Sequence, residues 1–155
     1  MIKCNQKLAQ TLYELYAGKE DQLSPQLKAI LDFGIVEEEG CWFLRKNRAA
    51  IKNTISEMGD HVGLECFVNE TQIDVEDPAN LPKQGLLFVH ALQKILEPLG
   101  VFNIVLGLGY TDLDDQPNFL TCAVRFHKVR RGESWLTDDL EKYDSEGLLL
   151  VTTHN

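Results

Sequence analysis

The segment PKQGLLFVHALQKILEPLGVFNIVLGLGY, residues 82–110, decides the fold class of this chain. In its first half, apolar residues occupy more than one helical stripe, which is typical of a helix buried on several sides. We therefore predict a central helix over Pro82–Leu96 that packs against a sheet. The mostly apolar run Val101–Tyr110 follows a Pro-Leu-Gly break and has the composition of a buried strand.

Toward the C-terminus, a second run rich in β-branched and aromatic residues covers Phe119–Val129. We expect it to pair with Val101–Tyr110 as a hairpin with a long acidic loop. Thr137 can cap a short helix through Asp138–Tyr143, and Gly147–Thr153 is predicted to form a buried closing strand.

Toward the N-terminus, the spacing of leucines predicts a first helix at about residues 4–17. Ser24 before Pro25 is a strong start signal for a second helix, which Gly34 ends. The run Ile35–Leu44 predicts a hairpin with an exposed acidic tip. The remaining predictions from spacing are a helix from Asn47 to Met58 and two paired strands at Val62–Val68 and Ile73–Val75.

Helices and strands fall in blocks rather than alternating, which favours an α+β class over a parallel α/β sheet. We predict a mainly antiparallel sheet packed against a central helix, with an N-terminal helical part and a small hairpin. A chain of 155 residues has the usual size of one domain. We expect a single domain over 1–155, with a possible substructure of 1–58 (helices and hairpin) and 61–155 (sheet and central helix).

The charge is strongly acidic and unevenly distributed. The formal net charge is -9, and residues 61–155 carry 15 acidic but only 7 basic side chains. This excess opposes binding to nucleic acid through its phosphates, so no nucleic-acid partner is expected. No apolar run approaches the roughly 20 residues of a membrane-spanning helix, and no apolar segment follows Met1. We expect no membrane partner and a cytoplasmic location.

Known chemical motifs do not match this sequence. Its four cysteines are far apart and form no C-x-x-C pair, and Cys66 and Cys122 lie in apolar runs typical of core positions. An EF-hand starting at Asp112 would need Gly and Glu where Pro117 and Ala123 stand. Gly107 and Gly109 lack the following helix of a dinucleotide site and indicate a bulge or a close strand approach. We predict no metal, no cofactor and no catalytic residue.

The order of helix, helix and hairpin in residues 5–45 resembles a winged helix in outline. The resemblance rests on Leu27–Leu44, LKAILDFGIVEEEGCWFL, which looks like the end of such a module running into its wing. It implies a transcription regulator as one alternative function. Winged helices usually read DNA with a basic helix and wing, whereas three glutamates occupy this turn.

A second alternative is an enzyme or small-molecule-binding protein. Its pocket would lie between the sheet and the helix at 82–96, and His90 on that helix is the candidate polar group. A general acid or base there would need a partner carboxylate beside the imidazole.

The leading hypothesis is a non-catalytic acidic protein that masks or inhibits a basic protein partner. In compactness and acidity the chain resembles bacterial immunity proteins that neutralise nuclease toxins. A nuclease is basic around its active site, so docked carboxylates would exclude the substrate and speed association. Trp135 follows a basic cluster and is of a type enriched at interface centres. The predicted partner-binding residues are Asp112, Asp114, Asp115, Trp135, Asp138, Asp139, Glu141 and Asp144.

Overall fold

The computed structural model describes residues 1–17, 22–111 and 118–154. The strands are β1 (Ile2–Cys4), β2 (Ile35–Glu38), β3 (Cys41–Leu44), β4 (Thr71–Gln72), β5 (Phe102–Thr111), β6 (Asn118–Lys128) and β7 (Glu146–Thr152). The α-helices are α1 (Gln6–Ala17), α2 (Pro25–Asp32), α3 (Arg45–Ala50), α4 (Ile55–Met58), α5 (His61–Val68) and α6 (Leu81–Leu96). Short 3-10 turns at Pro78–Asn80 and Glu97–Leu99 extend α6 at both ends, and another lies at Leu140–Lys142.

Five strands form one antiparallel sheet in the order β1-β7-β5-β6-β4. The long β5–β6 pair lies at its centre, with Gly107 opposite Ala123. The register shifts between Gly109 and Tyr110, so the bulge expected from the glycines is confirmed. The sheet, its central helix and the separate β2–β3 hairpin confirm the predicted α+β class.

Helix α6 lies across one face of the sheet and makes the main core with it. Ile104, Leu106 and Leu108 of β5 point toward the helix and are almost fully buried with Phe88 and Leu92 of α6. Helix α1 packs against β7 and adds Leu8 to the same core. The predicted central helix is confirmed because these residues fill the space between the two layers.

The strand predicted at Val62–Val68 is wrong, because these residues form helix α5. Asp60 caps the helix, since its carboxylate accepts a hydrogen bond from the Gly63 amide at 2.7 Å. The helix is buried around most of its circumference, so apolar residues recur at every second position and imitate a strand. The expected second strand at Ile73–Val75 is only the two-residue β4, which lies earlier, at Thr71–Gln72.

The single helix predicted from Asn47 to Met58 is also wrong, since the structure has two short helices there, α3 and α4. Ile51 is extended, and Thr54 begins α4 in a capping box with Glu57. The Arg48 guanidinium donates hydrogen bonds to the carbonyls of Ile51 and Asn53, at 3.2 and 2.9 Å, and thereby stabilises the break.

Other boundaries need smaller corrections. The first helix begins at Gln6 rather than residue 4, because Ile2–Cys4 pairs with β7 as strand β1. The short helix expected at Asp138–Tyr143 is a 3-10 turn at Leu140–Lys142, and Asp139 rather than Thr137 caps it. The second helix, with its Ser24 cap and Pro25 start, is confirmed.

The predicted hairpin Ile35–Leu44 is present as β2–β3. Its turn residues Glu39 and Gly40 both have positive φ, which is the requirement of a type I′ turn, and Glu37–Glu39 are exposed. Cys41 and Phe43 are buried in a second apolar cluster with Leu64 and Val68 of α5.

A buried carboxylate joins the hairpin to the sheet. Glu65 of α5 is fully buried, and it accepts hydrogen bonds from the amides of Trp42 and Lys128 at 2.8 and 2.9 Å. The Arg130 guanidinium donates to both Glu65 oxygens at 2.7 Å and also to the Gly40 carbonyl. This set of bonds, which we call the Glu65 lock, connects α5, β3 and the end of β6.

Within the described parts of the chain, no helix is both long enough and apolar enough to cross a membrane.

Candidate functional site

The face of the sheet opposite α6 is the candidate functional site, and we call it the open face. Residues of β5 point to it alternately with those in the core, and the register sets each beside one residue of β6 and one of β7. The four resulting rows are Asn103–His127–Thr152, Val105–Arg125–Leu150, Gly107–Ala123–Leu148 and Gly109–Thr121–Glu146.

The chain between β6 and β7, residues 129–145, lies over the open face, and we call it the crossing segment. Leu140 anchors it by burial. The Asn5 side-chain amide donates hydrogen bonds to the carbonyls of Tyr143 and Glu146, at 3.0 and 2.8 Å, and Lys7 Nζ donates to the Asp144 carbonyl. The segment is therefore held in place by Asn5 and by the first turn of α1.

A cavity of about 390 Å³ lies between the crossing segment and the sheet. Gly107 and Ala123 line it, and their small size makes the row they share its floor. Trp135 and Tyr143 of the crossing segment also line it. The Tyr143 hydroxyl accepts a hydrogen bond from the Thr137 amide at 3.1 Å, which fixes its position.

Two charged groups line this cavity and differ in their partners. Arg125 Nη2 lies 3.2 Å from a Glu70 oxygen, and the guanidinium stands 5.0 Å from the centre of the Trp135 ring. Glu146 directs its carboxylate over the floor, because a Cβ built on Gly107 would lie 3.2 Å from Glu146 Oε2. Among the described residues, no group donates a hydrogen bond to that carboxylate. The cavity therefore holds one neutralised cation and one carboxylate with unused acceptors.

A smaller cavity of about 150 Å³ lies on the other side of Trp135 and Leu136. His127 lines it and is 3% exposed. Burial lowers the pKa of His127, although a hydrogen bond between its Nδ1 and the Lys128 carbonyl acts in the opposite direction. The imidazole is consequently neutral at physiological pH.

Comparison with known proteins assigns the chain to a family. The model of the Uncharacterized protein PM0498 family matches residues 3–155. The chain belongs to this family. Neither a curated protein nor a solved structure showed a significant match to the chain.

The structure brings five of the predicted partner-binding residues together on the crossing segment. Asp138, Asp139, Glu141 and Asp144 are exposed, and Trp135 is 40% exposed. Two of the acidic side chains also have local roles: Glu141 accepts from the Gln6 amide, and Asp139 caps the 3-10 turn. The other three predicted residues, Asp112, Asp114 and Asp115, lie outside the described residues. Strand β5 ends at Thr111 and strand β6 begins at Asn118.

The alternative hypothesis expected a pocket between the sheet and the 82–96 helix. Core side chains fill that space, and His90 is exposed. A cavity of about 470 Å³ instead lies at the N-terminal end of α6, between Ser24 and Asp77. The Gln84 amide in its wall is engaged, because it accepts from the Ser24 amide and donates to the Gln22 carbonyl, each at 2.9 Å.

Two cysteines, Cys66 and Cys122, have the burial expected of core residues. Cys66 and Cys122 are buried, and burial raises the pKa of each thiol to about 12. Both are therefore neutral at physiological pH and poor nucleophiles. Among the described residues, no three side chains of the metal-binding types converge.

Sequence reasoning missed several residues of the open face, notably Arg125, Tyr143 and Glu146. The signal for Arg125 was present, because it alternates with the buried Val124 and Phe126 on a strand. The sequence carried no signal for the cavity, because Gly107 and Ala123 are brought together only by the register of two strands.

Proposed function

We propose that this protein is a non-catalytic binding protein whose open face and crossing segment dock against a basic protein partner, such as a nuclease toxin. The observation that carries the proposal is the exposure of Trp135 on an acidic segment that Leu140 and Asn5 hold in place. Tryptophan is among the residues that contribute most to protein interfaces when it is surrounded by a polar rim. The proposal includes the cytoplasmic location expected from the sequence.

The charge of the crossing segment and the start of β7 favours a basic partner. Residues 133–146 contain six acidic side chains, at Glu133, Asp138, Asp139, Glu141, Asp144 and Glu146, and one basic side chain, at Lys142. A surface of this sign raises the association rate of a positively charged protein and adds to the field of the whole chain.

The anchoring of the crossing segment also supports docking. A loop that is ordered only on binding loses conformational entropy at that moment, whereas a segment already held by Leu140 and Asn5 does not. Trp135 is likewise held before binding, since the Arg125 guanidinium stands over its ring.

The test compares two variants with the same change of net charge. The first, Asp138→Asn/Asp139→Asn/Asp144→Asn, neutralises the crossing segment, and an asparagine at position 139 can still cap the 3-10 turn. The control, Asp32→Asn/Glu37→Gln/Glu39→Gln, neutralises three exposed acids at the end of α2 and in the β2–β3 hairpin. Each protein is used to capture partners from lysate of the source cell at low and moderate salt, and captured proteins are identified by mass spectrometry.

We expect the unchanged protein and the control to retain the same basic protein, and the crossing-segment variant to lose most of it. With the purified pair, neutralisation of the crossing segment should lower the association rate about tenfold at low salt, because electrostatic steering acts on this rate. Equal capture by both variants, or no basic protein in any eluate, contradicts the proposal.

A further inference from the structure

We infer that the larger cavity under the crossing segment is a receptor for an arginine side chain of the partner, with the Glu146 carboxylate as the group that binds the guanidinium. This inference rests on the proposed docking function and specifies its central contact. It is carried by the shape of the cavity, by the Glu146 oxygens, to which no described residue donates, and by the aromatic rings in the wall.

The shape of the cavity comes from one row of the sheet. Gly107 and Ala123 are direct register partners and present no large side chain to the open face, while Arg125 and Thr121 flank Ala123 on β6. A cavity of about 390 Å³ falls within the range of pockets that enclose small ligands, and it exceeds the volume of one side chain. A long side chain can therefore enter without a change in the sheet.

The charge of the cavity selects a cation. Arg125 is already paired with Glu70, so its charge is compensated within the protein. The Glu146 carboxylate lies over Gly107, and no described residue donates a hydrogen bond to it. A guanidinium can donate two parallel hydrogen bonds to a carboxylate, and such charge-assisted bonds are stronger than neutral ones.

The aromatic walls favour arginine over lysine. Trp135 and Tyr143 line the same cavity as Glu146, and Tyr143 is held by the Thr137 amide. A planar guanidinium stacks on aromatic rings and is less strongly hydrated than an ammonium group, so it loses less on entering a partly buried site. Arg125 against Trp135 shows that this wall accepts such a contact.

The test uses short peptides, so that it is independent of the partner protein. The probe is acetyl-Gly-Arg-Gly-amide, with citrulline as a neutral isostere of arginine and lysine as the ammonium counterpart. Binding is followed by two-dimensional NMR, with the Gly107 and Ala123 amides and the Trp135 indole as reporters. We expect the arginine peptide to shift these signals and to bind at least about fivefold more tightly than either other peptide.

Variants separate the cavity from the acidic surface. Glu146→Gln should weaken the arginine peptide about tenfold, because a charge-assisted bond becomes a neutral one. Asp32→Asn, a loss of the same charge at an exposed position at the end of α2, should change it less than twofold. Gly107→Ala should also weaken binding, since its methyl group would occupy the floor. Amide spectra and unfolding midpoints of each variant verify that the fold is retained.

Any of three results would overturn the inference: no shift of the reporter signals at 20 mM arginine peptide, equal binding of the citrulline or lysine peptide, or an unchanged affinity in Glu146→Gln. None of these results bears on docking of the whole partner, which the crossing-segment variant tests separately. Conversely, arginine binding that depends on Glu146 would stand even if neutralising the crossing segment left partner capture unaltered.

Discussion

The two faces of the five-stranded sheet are built from alternate residues of the same strands, yet one is a packed core and the other holds cavities. On β5, Ile104 and Leu106 fill the space under α6, whereas Val105 and Gly107 face the crossing segment. The helix side excludes solvent because large side chains interdigitate there. The open face retains space because Gly107 and Ala123 are small and an irregular segment covers them. Adjacent residues of one strand therefore serve different purposes: one fills the packed core, and the next lines the cavities of the open face.

The largest expected effect is the difference in stability loss between breaking a buried ion pair and breaking a partly exposed one. Glu65→Gln places an amide donor against the donors of Arg130 or Lys128 in the fully buried lock. We expect a loss of about 3 kcal/mol in the free energy of unfolding, as for other broken buried pairs. Glu70→Gln removes the partner of Arg125 on the partly exposed open face and should cost less than about 1 kcal/mol.

Urea unfolding of both variants measures this difference. The comparison fails if Glu70→Gln destabilises as much as Glu65→Gln, since the open face would then contribute as much stability as the buried lock.

Substitutions of glycine by alanine compare how tightly the two faces of the sheet are packed. A Cβ at Gly85 of α6 would lie 2.7 Å from Cys122 Sγ and 2.8 Å from Leu106 Cδ1, inside the core. Gly85→Ala should therefore destabilise by about 1–2 kcal/mol despite the better helix propensity of alanine. A Cβ at Gly107 would lie 3.2 Å from the end of the flexible Glu146 side chain and in ordinary contact with Leu148 Cδ2 at 3.8 Å, so for Gly107→Ala we expect a change below about 0.5 kcal/mol.

Thermal unfolding of the two alanine variants under one condition is the measurement. A stabilised Gly85→Ala protein would show that the helix and sheet have room to separate, contrary to the close approach seen at this glycine.

The smallest expected effect is a pH dependence from His127, the buried titratable group of the open face. Burial lowers the pKa of His127 in the folded protein below its ordinary value of 6.5. At a pH between these two values, the unfolded chain therefore binds more protons than the folded protein. The free energy of unfolding should fall as the pH is lowered through this interval. His127→Gln should remove that part of the dependence.

Urea midpoints of both proteins at pH 7.5, 6.5 and 5.5 provide the measurement, because the difference between the two curves isolates His127 from other groups. Parallel curves would mean that the histidine is not desolvated by the crossing segment.

The sequence predicted best those elements whose signals are local. The Ser24–Pro25 start, the Glu39–Gly40 turn and the stripes of α6 each depend on residues a few positions apart, and each agrees with the structure. The prediction failed at Val62–Val68, where burial on most sides of α5 erased the helical period. The single helix predicted from Asn47 to Met58 also included the break at Ile51, although Thr54 and Glu57 have the spacing of a capping box that starts a new helix.

Some residues of the candidate site could likewise be predicted from the sequence, and others could not. Trp135 and the acids of the crossing segment were selected from composition, and the structure places the described ones on one exposed segment. Nothing in the immediate neighbours of Tyr143 and Glu146 distinguishes them, and Arg125 was not selected either, although it alternates with buried residues. They line one cavity only after β5, β6 and β7 have paired.

The sequence by itself determined the α+β class, the central helix, the long β5–β6 hairpin and the acidity of the second half. These follow from hydrophobic period, turn chemistry and charge count, which are properties of short stretches. Only the tertiary structure decided that Gly107 meets Ala123, that Glu146 reaches over them with no described residue bonded to its carboxylate, and that Arg130 binds the buried Glu65. Register and long-range burial join residues that are tens of positions apart, and no local pattern encodes which of them will meet.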